Sequence, residues 1–381
     1  MRTLARRDML DLLTGASILG CGGGGDEQFG RNLIHKIIDS GKQFTLVDPM
    51  EIPDGAHLCI IGEVGGGVGE EIKQKLEPYL KAAEKRDSLA LRTHIIQRAV
   101  RELESLMGVE FFTYVPSEIG PGNTVLPMYL AALEGKPAVD GDACGRAKPE
   151  TALSTTHIAG IPVTPLTITN IIGELMILKN AVDDYRAEDI ARYMAVVSGG
   201  DVSVARAPNT AARYKQAIVR GSISRSIRLG STIRTSGEKG LNAVEAILKT
   251  EPDCIRLFTG RVASWKRKEE GGFMWGDLTI EGAGSFQGQR MDIWYKNEYL
   301  ITWRDGKPCA TCPDSICVLD ASSGEGLSTW VADVPAYKGR RVEVLGFKSD
   351  RLWRTEKGAE LFGPRHFGYD FDYVPLEKIV G

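Results

Sequence analysis

Asp140 and Asp142 stand two residues apart in Val139-Asp140-Gly141-Asp142, so on an extended backbone both carboxylates project to one side. Like charges placed that way need a cation, and Arg146 follows Asp142 by four residues. Such a pair can bind a divalent metal or divide acid and base duties between its members. A salt-bridged turn is the plain alternative. His157, in Thr155-Thr156-His157, offers one nitrogen to the two aspartates, although a lone histidine serves packing as readily. The candidate metal ligands are therefore Asp140, Asp142 and His157. Glu118, in Glu118-Ile119-Gly120-Pro121-Gly122-Asn123, follows another apolar strand pattern. Ligands of parallel α/β sheets gather at the carboxyl ends of strands, which makes Glu118 a candidate proton carrier.

Glycine is the compositional outlier, with 44 residues in 381, about 12% against a usual ~7%. Gly20 to Gly25 holds five glycines in six residues, with Asp26 immediately behind. Bare backbone lets amides crowd a ligand, and the helix that follows offers its N-terminus to negative charge. Gly23, Gly24 and Gly66 (from a second cluster, Gly62 to Gly69) are candidate backbone donors, with Asp26 and Asn123 as polar contacts. A tight turn with Asp26 capping the helix is the competing reading. The run also satisfies G-x-G-x-x-G, and Asp48 ends the next strand where a ribose carboxylate would stand. A dinucleotide oxidoreductase is thus an alternative, weakened because a carboxylate at Asp26 repels a pyrophosphate. No G-x-x-x-x-G-K-[ST] occurs, so a P-loop ATPase is disfavoured.

These residues need a scaffold. Phe29, Leu33, Ile34, Ile37 and Ile38 recur at helical spacing up to Gly41, and Phe44 to Val47 and Leu58 to Ile61 read as strands. A helix around Ile95 to Leu106, a strand at Val109 to Val115 and another at Lys136 to Val139 continue the alternation. Alternating strands and helices predict a mostly parallel α/β domain over 1–168. Beyond it, Ile171 to Leu178, Ala187 to Met194 and Thr210 to Val219 look helical. Short alternating strands follow at Arg256 to Thr259, Asp277 to Ile280, Met291 to Trp294 and Arg341 to Val344. The expectation is an α+β domain over 169–381 with a large β-rich part. The stretch Gly363 to Asp370 carries Arg, His, Tyr and Asp and is expected to wall the cleft.

A formal charge of −3 gives no basic face for nucleic acid, and no apolar run approaches the roughly 20 residues of a membrane span. Seven cysteines at irregular spacing fit a reducing compartment. Cys309 and Cys312 read as buried small residues or as half of a metal site. Arg6-Arg7 and Leu19-Gly20-Cys21 imitate an export signal, but Asp8 and Asp11 interrupt its apolar core. The cytoplasm is the expected location.

Leu19 to Asp26 (LGCGGGGD), Glu118 to Asn123 (EIGPGN), Val139 to Glu150 (VDGDACGRAKPE) and Trp353 to Tyr373 (WRTEKGAELFGPRHFGYDFDY) together resemble the S-methyl thiohydantoin desulfurase family. The resemblance implies an N-terminal α/β unit and a C-terminal unit with a large β component. It implies action on hydantoin-like rings, removing sulfur as a thiol or sulfide in the breakdown of ergothioneine-type compounds, with a divalent metal, zinc first. It places the family motif on Asp26, Glu118, Asn123, Asp140, Asp142 and Arg146. The expected activity is a metal-dependent hydrolase: metal-bound hydroxide attacks the sulfur-bearing ring carbon, Glu118 moves the proton and Arg146 holds an anionic group or ring carbonyl. A non-catalytic or ATP-dependent partner subunit of a hydantoinase stays open beside it. A small molecule is the expected partner, and a homo-oligomer the assembly to test.

Overall fold

A computed structural model of the chain describes residues 1–65, 68–84, 88–330 and 334–379. The chain begins with β1 (Arg2–Leu4) and α1 (Arg6–Leu19), and Leu12, Leu13 and Ala16 of α1 are buried as their spacing requires. Asp11 is buried as well, because Arg234 grips both its oxygens at 2.8 and 2.9 Å. That arginine belongs to α9 (Ser222–Glu238), which crosses α1 backbone to backbone. A Cβ on Gly15 would stand 1.9 Å from a carbonyl of α9, and one on Gly230 would stand 1.8 Å from a carbonyl of α1.

After the glycine run come α2 (Glu27–Asp39), β2 (Phe44–Val47), β3 (His57–Gly65), α3 (Glu70–Glu84), α4 (Ser88–Met107), β4 (Phe111–Pro116) and α5 (Val125–Leu133). Then follow β5 (Ala138–Val139), β6 (Gly141–Asp142), α6 (Thr155–Ile158), β7 (Leu166–Thr169), β8 (Leu175–Leu178), α7 (Asp184–Val197), β9 (Asp201–Thr210), α8 (Ala211–Ala217) and β10 (Val219–Arg220). The α/β class is as expected. Parallel pairing joins β2 to β5 and β3 to β4. Elsewhere the main sheet, in order β4-β3-β9-β7-β8, is antiparallel, because β9 enters between β3 and β7 against both. The first sheet therefore continues past residue 168. Within Ile171 to Leu178, expected as helix, Leu175–Leu178 is strand β8 paired with β7. An uninterrupted apolar run fits either structure, and here the neighbouring strand decides.

The remainder is β-rich. After α10 (Ala243–Thr250), strands β11 (Cys254–Glu270), β12 (Phe273–Gly282), β13 (Arg290–Lys296), β14 (Glu298–Arg304), β15 (Lys307–Thr311), β16 (Ser315–Asp320) and β17 (Arg341–Phe347) form one sheet. Its order is β15-β14-β13-β12-β11-β17-β16 and every pairing is antiparallel. The β11–β12 hairpin turns on Gly271 and Gly272, with φ of +62° and +76°, the two left-handed positions that a type I′ turn demands. The β13–β14 hairpin turns on one residue, Asn297, at φ +60°. Helices α11 (Glu356–Phe362) and α12 (Leu376–Ile379) end the chain. Buried Trp353 donates its Nε1–H to the carbonyl of Cys144 at 2.7 Å, which ties this tail to the first part. No helix among the described residues is long and apolar enough to cross a membrane.

Candidate active site

A cavity of about 360 Å³ opens where the two parts meet, at the small end of the range for ligand pockets. One wall is built by glycine. α1 ends at Gly20, and the loop to α2 lies against the loop after β4 so closely that a Cβ on Gly24 would stand 2.4 Å from the Cα of Gly120. The Gly24 carbonyl accepts the N–H groups of Gly122 and Asn123 at 3.1 and 3.0 Å. Toward the second part, the Cys21 carbonyl accepts from Tyr299 N and the Gly22 carbonyl from Thr329 N, both at 2.8 Å. The run thus joins three backbone segments. Asp26 caps α2, accepting from Phe29 N at 2.6 Å, and also lines the cavity.

The opposite wall carries the chemistry. Glu118 is buried; its Oε1 accepts from Asn123 Nδ2 at 2.7 Å and its Oε2 from the backbone N–H of Lys148 at 3.0 Å. Burial raises its pKa, against the pull of the Lys148 charge. Asn123 Oδ1 is left buried without a hydrogen-bond partner. The β13–β14 hairpin inserts Lys296, Asn297 and Glu298 from the second part. Asn297 fixes the tip by accepting Met274 N at 2.8 Å. Glu298 lies against Gly23, and its Oε2 is buried and unpartnered. Burial, and next the Glu118 charge, push this carboxyl well above the usual range. Glu150 is the opposite case: burial opposes its charge, but His366 at 2.9 Å and Lys296 at 2.5 Å hold its pKa down to about 2. The tail histidine reaches Glu150, but no residue of Gly363 to Asp370 is among those lining the cavity.

The other expected site residues are employed elsewhere. Asp140 accepts Ser224 N at 2.9 Å and Ser224 Oγ at 2.5 Å, serving as the side-chain cap that Gly221 cannot give α9. Asp142 Oδ2 holds a tight turn by accepting from Cys144 N and Gly145 N at 2.8 and 2.7 Å, and burial raises its pKa to about 7. Arg146 is not among the residues lining this cavity; it is buried and gives three N–H groups to the carbonyls of Ala147, Asp314 and Tyr299 at 3.0, 2.6 and 2.7 Å. His157 Nδ1 lies 2.6 Å from Asp184 Oδ2. The expected ligand set of Asp140, Asp142 and His157 is accordingly not assembled. Among the described residues no three His, Cys, Asp or Glu side chains are grouped to hold a metal, and Cys309 and Cys312 are buried in different apolar clusters. Asp48 caps the short turn after β2 by accepting from Met50 N at 2.8 Å, which occupies the supposed ribose carboxylate. Gly66 lies outside the described residues.

Family models for the S-Me-THD-like N-terminal domain and the S-Me-THD-like C-terminal domain match residues 7–180 and 182–376. The chain belongs to the S-Me-THD-like family. An X-ray structure of a protein from Chromobacterium violaceum shares its fold, with a TM-score of 0.78 and 23% identity over 99% of this chain and 100% of that one. No curated protein matches the chain. Within the S-Me-THD-like motifs, Asp26, Glu118 and Asn123 meet at the cavity, and Lys148 and Glu150 join them from the quoted Val139 to Glu150 segment. Glu298 and Lys296 escaped sequence reasoning, since Lys-Asn-Glu between two strands looks like an ordinary solvated turn.

Proposed function

We propose that the chain is a hydrolase that replaces sulfur with oxygen on a hydantoin-like ring, releasing a thiol from an S-methylated thiohydantoin. The observation that carries this reading is the Glu118–Glu298 pair, two buried carboxyls on one cavity, each brought by a different part of the chain. Exchange of S for O at a carbon bonded to two nitrogens needs a base for water and an acid for the ring nitrogen. Two carboxyls held in different protonation states supply both. Glu118, ionised and fixed by Asn123 and the Lys148 N–H, takes a proton as water adds to the carbon. Glu298, protonated, gives its proton to the nitrogen that loses its double bond. The carbon–sulfur bond then breaks, the sulfur leaves as a thiol, and the new hydroxyl becomes the ring carbonyl. The described donors do not fit a divalent ion.

The test is thiol release from an S-methyl thiohydantoin by the purified protein, followed with a chromogenic disulfide, with the hydantoin identified by mass. Turnover that falls by about 10²–10⁴ in Glu118→Gln and in Glu298→Gln is the expected result. Absence of thiol from wild-type protein overturns the reading.

A further inference from the structure

Two of the described residues lining the cavity are cations, Arg192 and Lys148. Arg192 is committed. It donates to the carbonyls of Gly65, Pro149 and Gly272 at 2.7, 2.9 and 3.2 Å and pairs with Glu188 at 2.6 Å. Lys296, at the hairpin tip, is committed to Glu150 and lies 3.9 Å over the Phe273 ring. Lys148 differs. Its ammonium is buried, and among the described residues it has no carboxylate within ion-pair distance. Its hydrogen bonds are long, 3.4 Å to Ser117 Oγ and 3.5 Å to the Glu150 carbonyl, and both acceptors are neutral. An ammonium has three donors, so at least one N–H is uncommitted. The position is also built: the same residue's backbone N–H holds Glu118, and Ser117 Oγ is held in turn by Arg206 at 2.8 Å.

We propose that Lys148 is the catalytic acid that protonates the departing sulfur. The proposal rests on the desulfurising reading above. As the carbon–sulfur bond breaks, its electron pair stays on sulfur, which takes a proton from the Lys148 ammonium and leaves as a thiol. The hydroxyl of the adduct gives its proton to the Glu298 carboxylate and becomes the carbonyl. The proton that Glu118 took from water returns to the Lys148 amine. All three groups end as they began, and one water has become one ring N–H, one S–H and one C=O. The groups that bear on Lys148 are Glu118, Cys144 and Glu188, which favour its charge, and Arg206, which opposes it. Burial outweighs them and lowers its pKa, bringing an ordinary lysine near 10.4 closer to a thiol near 8.5, where proton transfer is better driven.

The experiment compares two rings that differ in the leaving group, methylthio and 4-nitrophenylthio, on wild type, Lys148→Met and Lys148→Gln. A sulfur that leaves readily as thiolate needs no acid. The expected result is a loss of about 10²–10⁴ in kcat on the methylthio ring and less than about tenfold on the nitrophenylthio ring, in whichever variant folds. Equal losses on both rings overturn the role of Lys148 while leaving desulfurisation intact. No thiol from either ring with wild-type protein overturns both, and a steep dependence of wild-type kcat on thiol acidity also counts against an acid at this position.

Discussion

Gly23 and Glu298 share one space: a Cβ on residue 23 would stand 2.0 Å from Glu298 Oε1. The Glu298 carboxyl occupies its place because the residue opposite has no side chain. Gly23→Ala is expected to displace Glu298 and cut kcat at least about tenfold, with a stability loss that comes from moving a buried side chain rather than backbone, since Glu298 Oε1, Cδ and Cγ all lie within 3 Å of the new carbon. Gly24→Ala should behave differently. There the new carbon meets the Gly120 Cα at 2.4 Å from a backbone at φ +82°, and the cost is about 1–3 kcal/mol. Urea melts beside kcat separate the two outcomes, and a Gly23→Ala enzyme with unchanged turnover refutes the placement of Glu298.

Asp140→Ala is a stability variant. Both carboxylate oxygens serve Ser224 at the start of α9, and removing such a cap costs about 0.5–2 kcal/mol. Denaturant midpoints should fall accordingly while kcat stays within about twofold of wild type. Loss of turnover in folded Asp140→Ala would restore this residue to the chemistry.

Asp142 gives the fold a pH dependence of definite sign. Its pKa rises from the usual 3.8 to about 7 when buried. The stabilisation is complete below pH ~4 and is lost as pH climbs through about 7, on the order of 4 kcal/mol across that window. Asp142→Asn keeps an acceptor for the N–H groups of Cys144 and Gly145 and removes the titration. Wild-type Tm should decline relative to Asp142→Asn between pH 4 and 7, and parallel curves would show the carboxyl to be ionised throughout.

Glu118 is expected to set the acid side of the rate profile. Burial raises its pKa above the usual 4.5, so a base that must be ionised becomes competent only at higher pH. The kcat/KM of wild type is expected to rise with a midpoint above 4.5, and Glu118→Gln to flatten that rise. A midpoint at or below 4.5 assigns the limb to another group.

Much of the scaffold could be read from local pattern. The spacing of Phe29, Leu33, Ile34 and Ile37 marks α2, and alternation marks parts of β11, β12, β13 and β17, because each depends on neighbours a few residues away. β8 departs from the expected helix because an uninterrupted apolar run fits either structure and its hairpin partner β7 decides, whereas β9 is specified by β3 and β7, strands tens of residues distant. The site divides in the same way. Asp26, Glu118 and Asn123 sit in motifs whose own loops bring them to the cavity. Glu298 arrives from 180 residues beyond Glu118 on a hairpin tip, and nothing in Lys296-Asn297-Glu298 tells a solvated turn from an inserted one. Asp140 and Asp142 misled because strand spacing predicts the direction of a side chain, not which helix end or turn will claim it.

Strand β9 carries a consequence for anyone dividing this protein. The C-terminal family segment begins at residue 182, yet β9 is the middle strand of the sheet formed by the N-terminal segment. Expressed alone, the N-terminal piece would expose a vacant slot between β3 and β7, with two sticky edges inviting aggregation. The two family segments are interlocked through this strand, so a cut between them divides one sheet.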